Sequence, residues 1–237
     1  MLRMTMIVSA GLLLAANAVA QEEEEGPWSG TTSLGYLATT GNTENKSYNA
    51  AAEISYARNK WTHTANASAI GAAESDTTTA EAYHAGWKSE YAFSEHDFLF
   101  GLIDWRKDRF SGFDEQLSGT LGYGRRLINS ERHALSATAG LGYRTSDLSD
   151  GTSESSAIGR GGLEYKWTFS ETSNFQQTLV VEAGSENNFY ESVSAVRARL
   201  VGELALVVSY TVRHNSDVPV GNENTDTFSA ISLEYAF

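Results

Sequence analysis

Residues 225–237 alternate with a period of two. Phe237, Tyr235, Leu233, Ile231, Ser229 and Thr227 fall on one face, and Ala236, Glu234, Ser232, Ala230, Phe228 and Asp226 on the other. Such alternation marks an extended strand whose faces meet different environments. A strand that is greasy on one side and stops on an aromatic ring suits the closing strand of an outer-membrane β-barrel, whose last ring sits at the lipid interface. It also resembles the signal by which bacterial barrel proteins are recognised, so the barrel assembly machinery, reached through Phe237, is an expected partner. The competing reading is a strand of a soluble periplasmic β-sandwich.

The same pattern recurs along the chain and predicts strands over 28–39, 47–57, 61–71, 80–93, 98–108, 117–127, 133–144, 157–169, 175–184, 192–200, 204–213 and 225–237. Twelve is an even number, as a closed up-and-down antiparallel barrel requires. The connections after odd strands are mostly long and rich in Ser, Thr, Asp, Asn and Gly, and those after even strands are short. Bacterial barrels show this asymmetry, with short periplasmic turns and longer external loops. The aromatics sort in the same register. Trp28, Tyr56, Trp61, Tyr91, Phe93, Trp167, Phe169, Tyr235 and Phe237 lie toward the short turns, and Tyr36, Tyr48, Tyr83, Trp105 and Tyr143 toward the long loops. Two belts of amphipathic rings fit two membrane interfaces, and a soluble sandwich gives no reason for the sorting.

Composition narrows the class further. The only long apolar run is at the N-terminus, where Arg3, an apolar stretch over 7–16 and Ala18-Val19-Ala20 read as a secretory signal peptide cleaved after Ala20. Residues 21–27, with the acidic run 22–25, then form a periplasmic tail, and 28–237 form one barrel domain. Nothing after the signal is long and apolar enough for a membrane helix, so the expected residence is the bacterial outer membrane, by strands. There are no cysteines, so the fold is expected to hold without disulfides. The net charge of -13 argues against a nucleic-acid partner, which calls for clustered Lys and Arg. Outer-membrane lipid is the expected surrounding, and a monomer the expected state.

The order of motifs resembles a known family, the salt-induced outer-membrane proteins, classed as domain of unknown function 481. The matching pieces are Leu34-Gly35-Tyr36 with Thr40-Gly41-Asn42-Thr43, then Asp108-Arg109-Phe110-Ser111-Gly112-Phe113-Asp114, and last Val212-Arg213-His214-Asn215-Ser216 with Thr225-Asp226-Thr227. The resemblance implies an exported barrel linked to salt or osmotic conditions. It implies no substrate, reaction or catalytic residue.

With the greasy face outward, the other face lines the interior. Its charges are Lys88, Arg106, Arg160, Lys166, Arg197, Arg199 and Arg213 against Glu53, Glu90, Asp104, Asp108, Glu164, Glu182, Asp226 and Glu234. A wall selective for one sign of ion would concentrate the other sign. A balanced set in a narrow lumen pairs instead, so the expectation is a partly occluded interior. Hairpin register places Arg160 beside Glu182 and Arg213 beside Asp226, both near the outer rim. Residues 108–114 either constrict the mouth or stack their rings on the rim. The expected function is a narrow, weakly selective channel or an envelope protein of osmotic adaptation.

The alternatives are an outer-membrane enzyme acting on lipid, or a structural barrel without transport. A lipid-acting enzyme needs a Ser and a His within reach of each other on the outer face. His63 lies outward, His133 begins the seventh predicted strand, His84 points inward, and His96 and His214 fall in connections, and none stands beside an obvious Ser at the upper interface. The acids of 147–154 are not spaced as a calcium loop. No catalytic, cofactor or metal site is expected.

Overall fold

The computed structural model describes residues 26–39, 45–74, 77–108 and 111–237. The expected signal peptide, the acidic run and the Thr40-Gly41-Asn42-Thr43 motif lie outside them. The described residues form strands alone: β1 (Trp28–Thr39), β2 (Asn45–Arg58), β3 (Trp61–Glu74), β4 (Thr77–Ala92), β5 (Asp97–Asp108), β6 (Phe113–Asn129), β7 (His133–Leu148), β8 (Ser153–Ser170), β9 (Ser173–Gly184), β10 (Phe189–Val201), β11 (Leu204–Asn215) and β12 (Thr225–Ala236). Each pairs antiparallel with its chain neighbour, and β12 returns to β1 to close a twelve-stranded barrel.

Closure gives each strand a partner on both sides, the condition for crossing a hydrocarbon layer by strands. The period of two then does its work. Trp87, Leu163 and Leu233 point away from the barrel with 50%, 41% and 50% of their surface exposed. A soluble sandwich would have buried such rings and chains against a second sheet, so the outward greasy face excludes it. Toward the short turns the outward rings stack laterally: Trp28 on Tyr56 at 4.7 Å, Trp61 on Tyr91 at 5.0 Å and Trp167 on Phe169 at 5.4 Å between centroids.

Several strands run further toward the long loops than the sequence pattern indicates. β6 starts at Phe113, β7 continues to Leu148 and β8 starts at Ser153, so the expected loop over 145–156 reduces to a tight turn at 149–152. The added stretches are polar on both faces, with Ser146 and Ser156 buried inside, and two-sided polarity hides alternation. In that turn Asp150 accepts from the amide and the hydroxyl of Thr152 at 2.9 and 2.6 Å.

Inside, β5 and β6 interlock. The rings of Phe98 and Phe100 lie over Gly124 and Gly122, where any Cβ would strike them. At the seam, Gly30 and Phe237 exchange backbone hydrogen bonds of 2.8 and 3.0 Å. Register between β1 and β12 runs only from Thr31 to Leu34, whereas β1 and β2 stay paired from Trp28 to Thr39. Asn49 of β2 reaches past Gly35 of β1 to donate to Ser232 of β12 at 2.9 Å.

Candidate functional site

Strand pairing brings the inward charges to two levels. In the half nearer the long loops, four strands converge on one carboxylate. Glu182 of β9 is 0% exposed and accepts from Arg144 of β7 at 3.2 Å and from Arg160 of β8. Arg106 of β5 stands 3.8 Å away. A carboxylate removed from water is tolerable only with such partners. Arg106 also pairs with Asp104 at 2.7 Å and lies over the buried ring of Phe189 at 4.2 Å. His84 meets the other oxygen of Asp104 at 2.8 Å.

The connection between β9 and β10 folds into this cluster. Asn187, 2% exposed, offers its backbone carbonyl to Arg144 at 2.5 Å and donates from Nδ2 to Asn215 at 2.8 Å. Ile158, Phe113 and Phe189 fill the spaces beside it, all buried. Among the described residues a void of about 20 Å³ lies at this level, bordered by Arg106, Asp108, Phe113, Phe189, Arg213 and Asp226. That is room for roughly one water, so the outer half of the lumen is a plug.

Below it the barrel is hollow. A cavity of about 620 Å³ extends from His84 to Ala236 near the short turns, lined by Glu53, Asn66, Lys166, Asn174, Arg197 and Glu234 among others. A second space of about 360 Å³ adjoins the wall of Arg126, Glu164, Lys166 and Gln176. The walls beside the larger cavity carry short side chains, Ala51, Ser68 and Ala195, whereas β5 carries Phe98 and Phe100. Lys88 spans the lumen at this level, 2.7 Å from Glu90 and 3.5 Å from Glu164, and Arg197 bonds Glu234 at 2.5 Å. Glu53 and Lys166 form no ion pair among the described residues. Arg199 reaches down to the carbonyl of Glu171 in the β8–β9 turn at 2.8 Å.

The expected pair Arg160 and Glu182 forms, but inside the plug rather than at the rim. Arg213 and Asp226 are register partners, yet Arg213 turns instead to Glu191 at 2.7 Å. Glu191 lies on the neighbouring β10 at the same level and accepts directly from the guanidinium. In the 108–114 motif Phe113 turns inward and is buried, while Gly112 takes a positive φ of 87° that a turn assigns to glycine. Arg109 and Phe110 lie outside the described residues. His214, expected in a loop, belongs to β11 and bonds Thr225 at 2.9 Å.

Three plug residues escape the sequence reading. Glu191 falls in an expected loop. Arg144 ends an expected strand, and carrying the register one step past outward Tyr143 would have turned it inward. Asn187 sits in a segment without periodicity, and nothing local announces that it folds inward. On the outer face, His63 stands 2.9 Å from Ser89, which also accepts from the indole of Trp87 at 2.9 Å. This pair lies in the belt beside the short turns, and no carboxylate contacts His63 among the described residues.

A family model described as "Protein of unknown function, DUF481" matches residues 32–237. A curated relative, "Uncharacterized protein YdiY" of Escherichia coli (strain K12), is 29% identical over 244 residues, covering 98% of this chain and 96% of its own. Among solved structures, the NanC porin is similar with a TM-score of 0.50 and 8% identity over 88% of this chain and 97% of that one. The outer membrane channel DcaP of Acinetobacter baumannii gives 0.42 and 8% over 89% and 95%. The likeness to the porin is one of fold: a closed antiparallel barrel of the outer-membrane kind.

Proposed function

The chain belongs to the DUF481 family of proteins of unknown function, and from that premise we propose a bacterial outer-membrane barrel that acts as a narrow, gated and weakly selective channel in osmotic adaptation of the envelope. The observation that carries the reading is the Glu182 cluster, an ion-paired plug above a cavity of about 620 Å³. A purely structural barrel has no use for so large a void beneath so dense a closure. Charges paired across the lumen can exchange partners for water and ions, which is how a polar constriction opens. The outward apolar face and the aromatic belts support residence in the bilayer. Export through the 1–20 signal, a periplasmic 21–27 tail, a monomeric state and delivery through the Phe237 strand belong to the same proposal, and no reaction is assigned. The osmotic part rests on the family resemblance, and growth of a deletion strain in high salt tests it.

Planar-bilayer recording tests the channel. The wild-type protein is expected to conduct rarely, and Glu182→Ala, which leaves three guanidiniums facing one another, to conduct more often and to favour anions. Conductance equal to the empty membrane in both would leave a structural barrel.

The contact of His63 with Ser89 favours one other reading, a lipid-acting enzyme at the lower belt. Phospholipid hydrolysis by the purified barrel that disappears in Ser89→Ala would establish it. Turnover that survives the substitution would discard it.

A further inference from the structure

We propose that the outer face of the β2–β3 turn binds the phosphodiester of a glycerophospholipid from the leaflet that meets the short turns. The site rests on the membrane placement above and goes beyond it. An open groove of about 420 Å³ is lined there by Tyr56, Arg58, Asn59, Trp61 and His63. Arg58 follows Ile54 and Tyr56 in the outward register of β2, so its guanidinium is on the lipid side of the wall.

Charge sets this turn apart. It reads Arg58-Asn59-Lys60, whereas the other four short turns each carry a glutamate, Glu95, Glu131, Glu171 and Glu203, in a chain of net charge -13. Among the described residues neither Arg58 nor Lys60 forms an ion pair, and the indole N–H of Trp61 and the Asn59 amide group have no hydrogen-bond partner. Lys60 rests over the Tyr91 ring at 6.0 Å. The neighbouring turn shows the contrast, since outward Arg125 has Asp97 at 3.5 Å. The groove therefore gathers two cations and N–H donors with no carboxylate among the described residues to neutralise them.

A phosphodiester is the complement, because it carries negative charge and only accepts hydrogen bonds, and a guanidinium fits it in two-pronged fashion. The walls choose a lipid over a free anion. Trp61 stacks on His63 at 5.7 Å and meets Tyr91 at a tilt at 5.0 Å, and Trp28 meets Tyr56 the same way. Exposed Ile54 and Trp87 continue the surface toward the bilayer centre, where acyl chains would lie.

Native mass spectrometry of the full mature barrel released from nanodiscs tests the site. Dioleoyl phosphatidylglycerol is the probe, with dioleoylglycerol and soluble glycerol 3-phosphate as comparisons. The wild type is expected to retain phosphatidylglycerol and neither comparison. Arg58→Gln should lower retention about fivefold, the effect of one interfacial cation, and Arg58→Lys should restore part of it. Lys107→Gln, an outward cation near the opposite rim, should change nothing. Equal retention of dioleoylglycerol, binding of glycerol 3-phosphate alone, or an unchanged Arg58→Gln would each overturn the proposal. A gel-mobility shift on heating verifies that every variant is folded. Failure of the wild type to insert into vesicles would instead strike the membrane reading.

Discussion

Glu182 shows how one residue's environment sets both stability and closure. Its carboxylate has no water and three arginines, and the arrangement is favourable only as a whole. Glu182→Gln removes the common partner, leaves Arg144 and Arg160 without a carboxylate and Arg106 with Asp104 alone, so the barrel is expected to lose about 3–5 kcal/mol, read as a lower urea midpoint of unfolding. Arg144→Met leaves two arginines on Glu182 and should cost less in the same assay. An equal or larger loss for Arg144→Met would contradict the central place of Glu182. The Arg160 and Glu182 pair was legible in the sequence because hairpin register is local. The approach of Arg106 and Arg144 was not, because it depends on the curvature that brings non-adjacent strands to one point.

At the scale of elements, β5 and β6 shape one wall of the lower lumen by fitting rings into glycine gaps. A Cβ at Gly122 would strike the backbone carbonyl of Ala139 on β7 and stand 2.6 Å from the Phe100 ring. Gly122→Val is therefore expected to lower the melting temperature of the folded band on unheated gels, by the equivalent of about 1–3 kcal/mol of overpacking. Adding Phe100→Ala should recover the part of that loss that comes from the ring; no recovery would mean that the Ala139 carbonyl of β7, rather than the ring, sets the limit. Number, order and facing of the strands were readable from period two and connection length. Their upper ends were not, since stretches such as 145–148 and 153–156 are polar on both sides. The inward fold of 185–188 was equally hidden, because its anchors, Arg144 and Asn215, come from strands far along the chain.

For the whole molecule, membrane fractionation after overproduction should place the chain with the outer membrane, and recovery in the soluble periplasm would end the barrel reading. The seam gives a second test. Because β1 and β12 are in register only from Thr31 to Leu34, amide exchange at Tyr36, whose N–H faces β12 as that of Gly30 does, should outpace that at Leu121 and Gly122, which are paired on both sides. Similar protection at both places would mean that the seam is as tight as the rest.

The hollow beneath the plug makes the lumen a bay and not a strait. In the closed state of the proposed channel, small solutes from the compartment at the short turns would enter, sample Glu53 and Lys166, and drift back. Such a bay would take on the ionic composition of that one side, and the charged lid would feel salt from below before anything passed above it.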